Sequence, residues 1–396
     1  MKRREFLVGG SRVALGLSLG ISGCSRASQP AARSLDETQA LFDELDKQIP
    51  QLMRDATVPG LSIAILRDAQ LLWRRGFGVR DAQSKVPVDV DTVFEAASTS
   101  KPVFAYAVMK LREKGVIDLD TPLTKYTSDR FLPGDPRLDL ITARHVLSHT
   151  TGFPNIRSRG NPLAINFTPG EQWSYSGEGY SYLQSVVTHL IGGRVNPADC
   201  GTFETDMRVC ATEPSIADYM TTNVLTPFGM TSSGYFWNDA MAAHMAKGHD
   251  ETGTPSQANR RPTGPSVARY GMVGGLCTTP TDYARFIAEI LNPKSSDPFR
   301  LTNESLGEML RPQVRRNAES SWALGWEIHH SPTGDFFTHG GDNPGFQCLV
   351  AGSVQRKTGL VIMTNGENGY DGVIAKLITG DTLSQLLGGK LRAASE

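Results

Sequence analysis

Excess charge of either sign is what this 396-residue chain most clearly lacks: 40 lysines and arginines stand against 41 aspartates and glutamates, a net charge of −1. Such a balance leaves no electrostatic footprint for nucleic acid or for a broadly anionic surface. A membrane-spanning run is also missing from the N-terminus, where Val8 to Ile21 is interrupted by glycines, Ser11 and Arg12 and is too polar to cross a bilayer as a stable helix. No Gly-x-Ser-x-Gly elbow, phosphate loop or dinucleotide fingerprint occurs, which argues against α/β-hydrolase, kinase and dehydrogenase chemistry. No period of 20–50 residues suggests a repeat array. What remains is an ordinary globular composition, 39% hydrophobic and 20% charged, in a chain long enough for one large domain or two closely packed ones.

Among the residues present, Ser98-Thr99-Ser100-Lys101 stands out, because Lys101 is the one lysine with a serine three positions before it. If a helix begins near Ser98, residues three apart share a face, so the Ser98 hydroxyl and the Lys101 amine can meet. A serine hydroxyl needs a base to become a nucleophile, and a desolvated lysine amine can serve as one. The helix N-terminus adds free N–H groups and a positive dipole end for a developing oxyanion. Ser-Thr-Ser before Lys-Pro also reads as a plain helix N-cap, so the catalytic reading depends on partners elsewhere.

Periodicity predicts the elements around it. Leu41, Phe42, Leu45, Ile49 and Leu52 recur at helical spacing over Ser34 to Met53. Leu61–Leu66 and Leu71–Gly76 read as an antiparallel pair turning at Arg67-Asp68-Ala69. Phe104, Val108 and Leu111 continue the Ser98 helix until Lys114-Gly115 stops it. Helices are expected at Thr142–His149, Tyr180–Ile191, Ser215–Thr222, Pro280–Leu291 and Val373–Leu387. Strands are expected at Leu324–His330, Asp335–Thr338, Phe346–Val354 and Leu360–Asn365. Gly192 to Pro214 reads as an insertion, and Arg260 to Tyr270 as an exposed loop. Strands at both ends with helices between predict an α+β fold: an antiparallel sheet built from N- and C-terminal strands, flanked by helices, with an inserted mostly helical subdomain at about 116–320. The domain would span 36–390.

The N-terminus carries its own expectation. Lys2-Arg3-Arg4 before a weakly apolar run reads as a twin-arginine export signal over residues 1–24. Ile21-Ser22-Gly23-Cys24 resembles a lipobox, which makes Cys24 the candidate lipidation site, followed by a tether over 25–35. This predicts an exported, membrane-anchored protein on the periplasmic face. Cys277 and Cys348 sit singly in apolar stretches, as small buried hydrophobes. Cys200 and Cys210, close together in a polar loop, could form a disulfide.

Two further stretches stand where a Ser-x-x-Lys hydrolase needs partners: Gln172-Trp173-Ser174-Tyr175-Ser176-Gly177 ahead of a helix, and Thr338-His339-Gly340-Gly341-Asp342 after a strand. With these, residues 38 to 387 resemble the serine β-lactamase-related hydrolases: class C β-lactamases, serine carboxylesterases of that fold and D,D-peptidases. The likeness extends through Ile141 to Gly152, Pro227-Phe228-Gly229-Met230, Gly274 to Asp282 and Gly325-Trp326. It implies a β-lactamase/transpeptidase-like fold with Ser98 as acylated nucleophile and Lys101 and Tyr175 sharing the general-base and general-acid work. His339, Gly340 and Gly341 would line the cleft, and the Ser98 and Asp342 amides would form the oxyanion hole. No metal and no cofactor are called for. Read by themselves, Tyr175 among Trp173, Tyr180 and Tyr182 could be core, and His339 structural. His145 and His149, at i, i+4 spacing, are taken as structural rather than a metal pair, and His244 and His249 as residues of an exposed loop.

Departures from the family pattern bear on substrate. Gly177 stands where class C enzymes have the Asn of Tyr-x-Asn, and His339 replaces the Lys of Lys-Thr-Gly. Both weaken recognition of anionic β-lactams, so the expected substrate is an ester or small amide, a small-molecule or peptide acyl donor. A β-lactamase or D,D-carboxypeptidase is the alternative within the class, and a non-catalytic muropeptide- or β-lactam-binding protein is the alternative outside it.

Overall fold

The computed structural model describes residues 35–128, 131–156, 162–195, 201–202, 208–209, 212–213, 215–235, 239–256, 271–294, 296–332 and 334–391. The export signal, Cys24, nearly all of the tether, Cys200, Cys210 and the 260–270 loop lie outside them. Eight strands make one antiparallel sheet: β1 (Gly60–Arg67), β2 (Gln70–Gly78), β3 (Val314–Arg315), β4 (Ser320–Trp322), β5 (Glu327–His329), β6 (Phe336–Asn343), β7 (Phe346–Ser353) and β8 (Thr358–Thr364). Their order is β2-β1-β8-β7-β6-β5-β4-β3, so the first hairpin docks beside the last strand and both ends of the chain build one sheet. The hairpin turns on Asp68 and Ala69, both at positive φ, the backbone twist that suits a two-residue connection.

The central strands are apolar on both faces because both faces are covered. Leu61, Ile63 and Ile65 of β1, with Leu360 and Ile362 of β8, pack under α1 (Leu35–Asp55) and the C-terminal helices through Phe42, Leu45, Ile49, Leu377 and Leu386. The alternate residues Ala64, Leu66, Val361 and Met363 face the larger core. There they meet α2 (Ser100–Glu113), α4 (Gly177–Leu190) and α5 (Pro280–Leu291), among other helices lying between the two groups of strands. α3 (Ala143–Leu147) and α6 (Asn303–Leu310) complete this side.

Several expected boundaries shift, each for a local reason. Leu324–His330 is not one strand: Gly325, at φ +86, turns the chain between β4 and β5, and Ala323 N–H bonds to Trp326 O at 2.7 Å. β6 runs on past Thr338 to Asn343, because Gly340 and Gly341 pair with Leu349 and Cys348 instead of ending the strand. The expected last helix is interrupted at Gly380, whose extended backbone (ψ 157°) separates Ala375–Thr379 from α7 (Asp381–Leu387). His249 is not on an exposed loop but fully buried, accepting from Ala82 N–H at Nε2 and bonded to Asn365 O through Nδ1, which ties it into the first hairpin and the end of β8. His244 is exposed. Within the 192–214 segment, Arg194–Val195 pairs with Thr212–Glu213, and Gly201–Thr202 with Arg208–Val209.

Trp326 welds the sheet to the helices. It is wholly buried, with its ring 4.8 Å from Phe337 of β6 and 6.3 Å from Phe286 of α5. Trp326→Ala leaves a large cavity there, and urea unfolding should show a loss of about 3–5 kcal/mol; a loss below about 1 kcal/mol would mean that Trp326 does not bear on this junction.

Candidate active site

The turn that carries Ser98 is built from the short strand Phe94–Glu95, which pairs with Cys277–Thr278, and a 3-10 turn over Ala97–Thr99 that leads into α2. Ala97 takes φ +46, a conformation that L residues hold only when their surroundings over-determine it. Here they do. Ser100 Oγ donates to Ala97 O at 2.6 Å and accepts from Leu276 N–H at 3.0 Å, while Tyr283 Oη donates to Thr99 O at 2.7 Å. No side chain caps α2, so the plain N-cap reading of Ser98 does not describe it. Its hydroxyl instead meets Lys101 Nζ at 2.9 Å.

Lys101 is only 1% exposed, and its second partner is a neutral carbonyl, Val273 O at 2.8 Å. Burial brings its pKa down to about 7. Near neutral pH the amine therefore has a substantial unprotonated fraction, able to donate one N–H to Val273 and turn its lone pair to the Ser98 proton. Val273 and Ser100 escaped the sequence reading, since a backbone carbonyl leaves no mark in residue type and Ser100 reads as part of a serine-rich cap.

Tyr175 comes from the extended segment before α4. Its ring centroid lies 4.9 Å from Lys101 Nζ, and its buried hydroxyl lies beside Ser98 without a complete hydrogen bond. Burial pushes the phenol's pKa up, outweighing the opposing pull of the Ser98 hydroxyl. It is thus a proton donor in the resting state, and the amine, not a phenolate, is the available base. Its aromatic neighbours are real, with Trp322 at 5.8 Å and His149 at 4.1 Å between ring centroids, yet the ring belongs to the Ser98–Lys101 cluster as well.

β6 closes the site from the other side. Beyond Thr338, which faces Glu327, β5 no longer pairs with it, and this free edge passes the Ser98 turn. A Cβ on Gly341 would come within 2.4 Å of Cys348 Sγ and 2.7 Å of Ala96 O, so nothing larger than glycine fits; one on Gly340 would meet only Cys348 O at 4.0 Å. Asn343 Nδ2 ties the end of the strand to Glu95 Oε2 at 2.6 Å and to Gly274 O at 3.2 Å. Asp342 is exposed and lies opposite Gln347. His339 is 3% exposed, with Nδ1 at 2.6 Å from Gly340 O. Burial, helped by the nearby Lys101, lowers its pKa to about 3. It is a neutral imidazole whose Nδ1 proton is committed to the backbone, leaving a buried, unpartnered Nε2 acceptor.

The remaining expected residues separate by position. His145 sits in the capping box of α3, its Nδ1 against Thr142 N and Leu140 O, whereas the His149 ring turns to Tyr175. The two histidines share no ligand site. Gly177 opens α4 hard against Asn155: a Cβ there would fall 2.5 Å from Asn155 O and 3.1 Å from its Oδ1. A side chain at 177 is excluded by packing, and the Asn155 amide occupies that space.

The Beta-lactamase family model matches residues 45–379. The chain belongs to the β-lactamase family. Among curated relatives it is 25% identical over 331 residues to penicillin-binding protein 4* of Bacillus subtilis, covering 75% of this chain and 66% of that one. It is 21% identical over 345 residues to protein flp of Staphylococcus aureus (strain N315), covering 83% and 64% respectively. The chain thus spans just under two thirds of the length of these relatives. The fold is that of the D-alanine carboxypeptidase AmpC from Burkholderia cenocepacia (TM-score 0.70, 20% identity, 88% and 99% coverage). The octameric penicillin-binding protein homologue from Pyrococcus abyssi shares it too (TM-score 0.68, 21% identity, 88% and 78% coverage).

With the free Lys101 amine as base, kcat/KM should rise with pH through about 7 and fall tenfold per unit below it. His339, neutral above about 3, should add no second limb between pH 4 and 9; a pH profile flat from 5 to 9 would remove Lys101 from the base role. Gly341→Ala should lower stability by about 1–3 kcal/mol, with Gly340→Ala close to neutral in the same thermal melts.

Proposed function

We propose that the chain is a serine hydrolase that forms an acyl-enzyme on Ser98 and hydrolyses an ester or small amide. The observation that carries this reading is the 2.9 Å contact between Ser98 Oγ and a buried, charge-uncompensated Lys101 amine. As Oγ attacks the acyl carbon, its proton passes to Nζ, and the carbonyl oxygen takes up the charge against the Ser98 and Asp342 N–H groups. The leaving oxygen or nitrogen departs with a proton from the Lys101–Tyr175 pair. A water then repeats the addition, giving its proton to the same pair, and the acid product leaves with Ser98 restored.

The preference for uncharged acyl donors rests on the neutral His339, which stands where the family resemblance puts a fixed cation to pair with a β-lactam carboxylate. Fluorophosphonate labelling and intact mass should place a single adduct on Ser98, absent in Ser98→Ala. Turnover of short p-nitrophenyl esters should exceed turnover of nitrocefin. Preference for nitrocefin or for D-alanyl peptides would move the reading to a β-lactamase or a D,D-carboxypeptidase, and no adduct with any acyl donor would leave a binding protein. His339→Lys should shift the nitrocefin-to-ester ratio upward by about tenfold, the scale of one added hydrogen bond to a charge.

We further propose that the protein is exported and held at the membrane through lipid on Cys24. Labelled palmitate should enter the wild type and not Cys24→Ser, and Arg3→Lys with Arg4→Lys should stop translocation. A soluble mature protein that begins at another residue would overturn this.

A further inference from the structure

α3 ends at Leu147, two residues short of its expected end, because His149 adopts φ +57. A non-glycine residue in that conformation is held there by its surroundings, and what it holds in return is the segment carrying Tyr175. His149 O accepts from Ser174 N–H at 2.9 Å, and His149 Nδ1 accepts from Ser176 N–H at 3.0 Å. One residue therefore takes the amides on both sides of Tyr175. The imidazole then lies against the phenol, with ring centroids 4.1 Å apart and planes 32° from parallel. Tyr175 is pinned by its two neighbours and by its ring, all from the same residue.

The tautomer follows from this contact. Since Nδ1 is the acceptor, the proton of a neutral ring sits on Nε2, the opposite of His339, whose Nδ1 faces the Gly340 carbonyl. A second proton on His149 would have to reside on Nδ1 and would break the Ser176 contact. Burial, with Lys101 and His339 nearby, opposes that protonation, so the clamp stays in its accepting form.

Resting on the Ser98 hydrolase reading above, we infer that His149 is a positioning residue for Tyr175: it sets the phenol's place beside Ser98 and Lys101 through the two flanking amides and the ring stack. The test compares wild type, His149→Leu and His149→Asn in fluorophosphonate labelling and in kcat and KM for p-nitrophenyl acetate, with circular dichroism and Tm on each. Leucine fills a similar volume with no acceptor, while asparagine tolerates positive φ and carries a carbonyl at the same distance along the side chain as Nδ1. Leucine should lower kcat about 10²-fold, the scale of an ångström-size misplacement, with KM changed by less than about threefold. Asparagine should recover at least about tenfold of that loss. A leucine variant with kcat within about threefold of wild type, or an asparagine variant no better than leucine, would overturn the inference. If leucine does not fold, His149→Gln replaces it. Its carbonyl sits one carbon too far out for Ser176, so Gln equal to Asn overturns the inference and Gln well below Asn supports it. An inert, unlabelled wild type would take down the hydrolase reading and this inference with it, whereas an active wild type with unaffected variants would remove His149 alone.

Discussion

The desolvation of one amine is the constraint on which the site depends. Lys101 is enclosed by the α2 core, the Tyr175 and Tyr180 rings and the Val273 carbonyl, and among the described residues no carboxylate forms an ion pair with it. In water a lysine at pH 7 is a cation and useless as a base. Here the same burial that would destabilise the charged form leaves an amine whose pKa matches the pH at which it would work. A carboxylate beside it would raise that pKa and remove the base, so the site is better served by neutral acceptors.

The second requirement is close approach. β6 must bring its open edge to the Ser98 turn, and it does so at Gly341, where Ala96 and Cys348 leave no room for a side chain. The turn in turn stores backbone strain at Ala97 and distributes its restraint over Ser100, Leu276 and Tyr283. Restraint of this kind fixes the backbone amides of the turn in place. Trp326 and the sheet beneath supply the rigid base, since eight paired strands with cores on both faces resist local adjustment.

Tyr175 and His339 show how environment divides roles between groups of similar chemistry. Both are buried next to Lys101, and in both burial favours the neutral form, so the phenol keeps its proton and the imidazole offers a lone pair. Around Ser98 these two side chains are therefore uncharged.

Much of this was legible in the sequence because it is periodic or locally chemical. Short apolar runs bounded by turn residues marked β1, β2, β7 and β8; the 3.6-residue stripe and Lys114-Gly115 marked α2; and the three-residue spacing put Ser98 and Lys101 on one face of a turn. What residue type alone left open was decided by contacts between segments far apart in the chain. Gly325 split one expected strand, Gly340 and Gly341 continued another by pairing with β7, His249 was drawn into the interior by Asn365 and Ala82, and His149 left its helix to grip the Tyr175 segment. Sequence determines which groups are available and how short stretches bend; only the tertiary structure decides burial and hence protonation, because desolvation is a property of everything packed around a group and not of the group itself.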